Sequence, residues 1–127
     1  MVPEGILERI GVTMGKLDKL QTSIRLSIVN PESRSNSVYG KGIFNLCMGV
    51  REKGSLNAAA KEMGMAYSKA WRIIKDTEES LGVQLLVRDG AHGSVLTEEG
   101  NELLEVYLSI EEKISKESLK LYEKLVK

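Results

Sequence analysis

Three glycines, Gly54, Gly64 and Gly82, divide residues 41–81 into three short segments of helical period. In the first, residues 41–53, Ile43, Leu46, Cys47 and Val50 fall on one face, and Gly54 follows where such a helix would stop. Ser55 suits the N-cap of a second helix over 56–63, which Gly64 ends. The third runs from about Tyr67 to Ser80 and closes at Gly82. Helices of this length are marginal alone and gain their stability by packing on one another. The tight connections therefore predict a compact trihelical unit.

The flanking segments have other periods. Val83–Arg88 reads as a short apolar strand, Asp89-Gly90-Ala91-His92-Gly93 as a turn and Ser94–Leu96 as a second strand. Thr97 then caps a long helix that continues to about residue 125. Upstream, Ile6, Ile10, Leu17 and Leu20 sit near helical spacing, so residues 5–20 are expected to be helical, with Pro3 at the start. Ile24, Leu26 and Ile28 alternate with polar residues, which predicts a strand over 23–29 that could add an edge to the hairpin. Residues 30–36 form a polar loop. Three consecutive helices followed by a hairpin make a winged helix-turn-helix. The expected fold is mostly α with a small β wing and a long C-terminal helix. The expected organisation is a single domain over 1–127: an N-terminal helix (5–20), core and wing (23–96) and a dimerisation helix (97–125).

A chain of 127 residues is the size of one domain. Its single cysteine, Cys47, lies among Phe44, Leu46, Met48 and Val50, so a buried apolar role is expected rather than a nucleophilic one. One thiol makes no internal disulfide. With no signal peptide and no membrane-length apolar run, the expectation is a cytoplasmic protein without membrane association. His92 is the only histidine, and one histidine beside one distant cysteine is no metal site. No catalytic constellation or phosphate loop is present, and the glycines of Tyr39-Gly40-Lys41-Gly42 do not fit a dinucleotide fingerprint. The reading is a non-enzyme with no catalytic residues, no cofactor, no metal and no small-molecule ligand on this chain.

Acidic and basic residues balance at 18 each, but they are segregated. Residues 51–75 hold six cations (Arg51, Lys53, Lys61, Lys69, Arg72 and Lys75) against Glu52 and Glu62. From Glu98 to Lys127, eight glutamates outnumber five lysines. Such a footprint suits a polyanion partner. Ala58-Ala59-Ala60 gives the second helix a small surface for close crossing. Ala70, Ile74, Thr77 and Leu81 form one face of the third. Its opposite face carries Ser68, Lys69, Arg72 and Lys75, placed as a recognition helix places side chains toward the major groove. Ser68, Lys69 and Arg72 are expected to read bases, with Ala66 and Tyr67 adjoining. Ser55, Asn57, Lys75, Arg88 and His92 are expected to hold the backbone. Several of these side chains have a second reading: Ser55 caps its helix in either case, Arg88 could pair with Asp89, and Tyr67 and Trp71 could brace the third helix against residues 41–53.

Three runs carry a family resemblance: Gly54-Ser55-Leu56-Asn57-Ala58-Ala59-Ala60-Lys61, Gly64-Met65-Ala66-Tyr67-Ser68-Lys69-Ala70-Trp71 and Leu96-Thr97-Glu98-Glu99-Gly100. Together they resemble the N-terminal domain of ModE-type molybdate-responsive regulators. Residues 72–88, containing Glu78-Glu79-Ser80-Leu81-Gly82, resemble the end of the LysR-type winged helix. The resemblance covers about residues 23–110. It implies sequence-specific binding of double-stranded DNA and transcription regulation. Full-length ModE-type regulators bind molybdate through C-terminal domains that this sequence does not include, so sensing by this chain is not implied.

The last helix is apolar along more than one stripe. Leu103, Leu104, Tyr107, Ile110, Ile114, Leu121 and Leu125 are expected to form a homodimer seam, unless residues 5–20 cover them. The alternative function is a winged-helix protein-interaction module without DNA binding, or an antagonist that forms mixed dimers with a full-length regulator.

Overall fold

The computed structural model describes residues 15–91 and 93–127. Residues 25–109 pack into one compact unit, and residues 15–24 with 110–127 belong to another. Most of the expected helix over 5–20 lies outside the described residues. At its end, Lys16–Lys19 form a single 3-10 turn and Leu20 has extended backbone. In the same unit the Tyr122 hydroxyl donates to the Leu17 carbonyl (2.8 Å).

The larger unit contains α1 (Lys41–Lys53), α2 (Leu56–Glu62), α3 (Tyr67–Leu81), β1 (Leu86–Asp89) and β2 (Gly93–Leu96). It also holds the first part of α4 (Glu98–Val126). The glycine punctuation has a direct backbone cause. Gly54 and Gly82 close α1 and α3 in the left-handed region. At the end of α2, Gly64 also has positive φ, and Met65 N–H reaches back to the Ala60 carbonyl (2.9 Å) while Gly64 N–H meets that of Lys61 (3.0 Å). This double closure redirects the chain into α3 within a few residues. The Ser55 side chain caps α2 by accepting Ala58 N–H (3.2 Å).

The core contains Ile43, Phe44, Leu46, Cys47 and Val50 of α1, Leu56, Ala59 and Ala60 of α2 and Ala70 and Ile74 of α3. Leu85, Leu86, Leu104, Tyr107 and Tyr39 complete it. The α1–α2 crossing is so close that a Cβ on Gly49 would stand 2.5 Å from Ala59 Cβ. Phe44 stacks on Tyr107 at 4.8 Å between centroids, and Tyr39 meets the same ring at 5.5 Å. Burial pushes the Cys47 thiol up to about 12, as suits an inert core residue.

Two expectations need correction. Residues 23–29 do not form a strand. Among the described residues, only Ile28 of this stretch pairs, in an isolated antiparallel bridge with Tyr39 (N–H to carbonyl 2.9 and 3.0 Å), and none joins the edge of the hairpin. The alternating pattern is real, but residues 30–38 leave the pairing at once and are held by side chains instead. Ser80 at the end of α3 donates to the Ser37 carbonyl (2.7 Å), and Asn30 Nδ2 donates to the Ser80 carbonyl (3.2 Å). The second correction concerns the seam. Leu104 and Tyr107 are 0% and 1% exposed, filled in by α1 and Tyr39, and Leu103 is partly buried against the same core, so the first two turns of that stripe serve the chain's own interior.

Candidate nucleic-acid interface

The recognition helix is set from both of its faces. Ala70, Ile74 and Thr77 are buried, which fixes its rotation. Ser68, Arg72 and Lys75 are exposed on the opposite side, and Tyr67, Lys69 and the N-cap residue Ala66 are exposed at the N-terminal end. Near the C-terminal end, the buried carboxylate of Glu78 accepts Leu85 N–H (2.7 Å) and Leu86 N–H (3.1 Å) through Oε2. Its Oε1 faces Lys75 Nζ at 3.4 Å. One side chain thus ties α3 to the first residue of the wing.

The wing is a two-stranded antiparallel hairpin in which Leu86 pairs with Leu96 and Asp89 with Gly93. It is pinned at its far strand, where Ser94 N–H donates to the Gly54 carbonyl (3.0 Å), and at its exit. There Thr97 Oγ1 accepts Gly100 N–H (2.9 Å), and Thr97 N–H donates to the Leu85 carbonyl (2.9 Å). A Cβ on Gly100 would collide with that same carbonyl. The Leu96-Thr97-x-x-Gly100 run is therefore a joint between wing and α4.

Two concavities flank Arg88. One, of about 540 Å³, lies between α3 and β1 and is lined by Ser68, Trp71, Arg72, Lys75, Gln84 and Leu86, with Val87 and Arg88 beyond. The other, of about 280 Å³ and more polar, brings Ser55, Asn57, Tyr67 and Arg88 together with Ala91, Gly93 and Ser94. The residues expected to bind nucleic acid thus converge from α2, α3 and the wing. His92 lies outside the described residues. Lys69 and Ala66 are exposed beside these concavities without lining either.

Some sequence expectations are redistributed. Arg51 is bound by Glu105 (2.6 Å) and Asn101 (3.2 Å), Lys53 faces Glu62 at 3.7 Å and Lys75 faces Glu78, so three of the six cations serve intramolecular pairs. Lys69 and Arg72 have no such partner among the described residues. Arg88 does not pair with Asp89; its guanidinium lies 5.1 Å over the Trp71 ring. The Trp71 ring thus also faces the wing, with Tyr67 edge-on at 6.4 Å and Lys75 at 5.3 Å. Glu78 and Ser80 were not singled out in the sequence. A glutamate three residues past Lys75 reads there as an ordinary surface pair. Among the described residues no cluster of His, Cys, Asp or Glu could hold a metal, and no helix is long and apolar enough to cross a membrane.

Helices, steep turn and pinned hairpin together define a winged helix-turn-helix of the kind found in DNA-binding domains. Residues 44–101 match the bacterial regulatory helix-turn-helix proteins of the LysR family. A stretch of 55 residues is 42% identical to an uncharacterized HTH-type transcriptional regulator, YoaU, of Bacillus subtilis (strain 168). It covers 43% of this chain, and the chain spans 19% of the length of that relative. Among solved structures, the CbnR DNA-binding domain in complex with DNA is similar at a TM-score of 0.50 and 31% identity, over 58% of this chain and 84% of that one. The BenM DNA-binding domain in complex with benA site 1 DNA shares the fold at a TM-score of 0.51 and 24% identity, over 65% of this chain and 91% of that one.

Proposed function

We propose that this chain is a sequence-specific double-stranded DNA-binding transcription regulator that inserts α3 into the major groove. The observation that carries the reading is the exposed face of α3. Ser68 and Arg72 project from it opposite a fully buried stripe, with Tyr67 and Lys69 exposed beside them and a wing whose Arg88 shares both flanking concavities. Ser68, Lys69 and Arg72 are the base-reading set. Ser55, Asn57, Lys75 and Arg88 hold phosphates, Ser55 alongside its capping role, and His92 in the wing turn is assigned with them. The similar CbnR domain, crystallised in complex with DNA, supports the same class of partner.

Within the winged-helix regulators we assign the chain to the ModE-like branch, on the Tyr67-x-x-Ala70-Trp71 and Leu96-Thr97-x-x-Gly100 runs, and we assign it a homodimeric, cytoplasmic state. Selection of random duplexes by the purified protein at two salt concentrations tests the function. An enriched inverted repeat whose affinity falls steeply with salt is expected. A folded protein that enriches no sequence at either salt would overturn the reading in favour of a protein-interaction module.

A further inference from the structure

We propose that Trp71 is a positioning residue for DNA recognition: its indole face is the shelf that holds the wing's Arg88 against the recognition helix, so that wing and helix engage DNA as one body. The inference rests on the DNA-binding reading above.

Arg88 is exposed in the outer half of β1, with no acidic partner among the described residues. A free arginine there would sample many rotamers and lose that freedom on meeting a phosphate. Instead its guanidinium stands 5.1 Å from the Trp71 centroid, within the range of a cation–π contact. Lys75 approaches the same ring at 5.3 Å. One aromatic side chain therefore fixes two cations, one on the wing and one on the helix, at the walls of the cleft between them. A second observation separates this from simple filling. Trp71 Nε1 is buried and finds no acceptor among the described residues, a desolvation cost that leucine at the same place would not carry. The π face offsets that cost by organising charge, and Tyr67, edge-on at 6.4 Å, limits how far the indole can turn.

The test uses the full chain and its selected operator, with Kd measured over a range of salt. Arg88→Ala should weaken binding and lower the salt slope by about one phosphate contact. Trp71→Leu should weaken it about three- to tenfold, with a similar fall in slope although no charge is removed. Trp71→Phe, which keeps a π face, should recover most of the affinity. The Trp71→Leu, Arg88→Ala double variant should bind no worse than Arg88→Ala alone. A Trp71→Leu protein with the wild-type salt slope, or full additivity of the two losses, would overturn the proposal. If Trp71→Leu does not fold, Arg88→Lys decides in its place. It keeps the charge but not the planar stack, so it should lose affinity while the sole tryptophan becomes more accessible to acrylamide; unchanged values on both counts overturn the proposal. Failure of the wild-type chain to bind any duplex would mark failure of the DNA reading itself, and the role of Trp71 would fall with it.

Discussion

Arg72 and Lys75 sit one turn apart on α3 and differ in what already engages them. Arg72 is exposed and without an acidic partner among the described residues, so its guanidinium can be committed to a base edge. Lys75 is already shared between Glu78 and the Trp71 ring, which suits a fixed charge at the groove wall. Arg72→Ala should therefore reduce discrimination among operator variants by about 1–3 kcal/mol. Lys75→Ala should weaken all sequences alike and reduce the salt slope by about one. Competition binding against a set of single-base operator variants reads both. Gly100 supplies a stability prediction at the same scale. Any side chain there meets the Leu85 carbonyl, which is itself engaged by Thr97 N–H. Gly100→Ala should cost about 1–3 kcal/mol in denaturant unfolding, despite the usual preference of helices for alanine.

Glu78 acts between elements. Two consecutive amides, of Leu85 and of Leu86 at the start of the wing, donate to one carboxylate oxygen, so the angle between α3 and β1 depends on a single buried group. Glu78→Ala would strand both amides and should cost about 1–3 kcal/mol or more in unfolding free energy, followed by circular dichroism in urea. The elements themselves were legible because their ends have strong local chemistry. Gly54, Gly64 and Gly82 adopt positive φ, and Ser55 and Thr97 accept the N–H groups that their helices leave open. What was not legible is tertiary. Glu78 looks like one more solvated charge until the chain turns at Gly82 and returns Leu85 and Leu86 to it. Residues 23–29 have a strand's alternation, yet a strand needs a continuous partner, and only Tyr39 supplies one. The exposed residues of α3 were readable because helical periodicity fixes which side of it is buried. Their grouping around Arg88 was not, since it depends on how far the wing folds back.

At the scale of the whole molecule, α4 poses the remaining question. Its apolar pattern runs the length of a 29-residue helix, but among the described residues the core takes Leu104 and Tyr107 fully and Leu103 and Leu108 in part. Ile110, Ile114, Leu121 and Leu125 continue the pattern and are exposed, Leu121 at 57% and Leu125 at 74%. A face of this kind in water favours association, and two-fold pairing is the commonest closed solution. It would also give the protein two recognition helices, which an inverted-repeat operator requires. We therefore expect Leu121→Lys with Leu125→Lys to convert a dimer into a folded monomer in sedimentation equilibrium. Affinity for a single half-site should be retained, because neither residue belongs to the interface built on α2, α3 and the wing. Affinity for the full inverted repeat should collapse toward the half-site value, since the gain from linking two modules vanishes when they separate. A wild-type chain that sediments as a monomer would remove the seam from α4 and leave its apolar face to another partner.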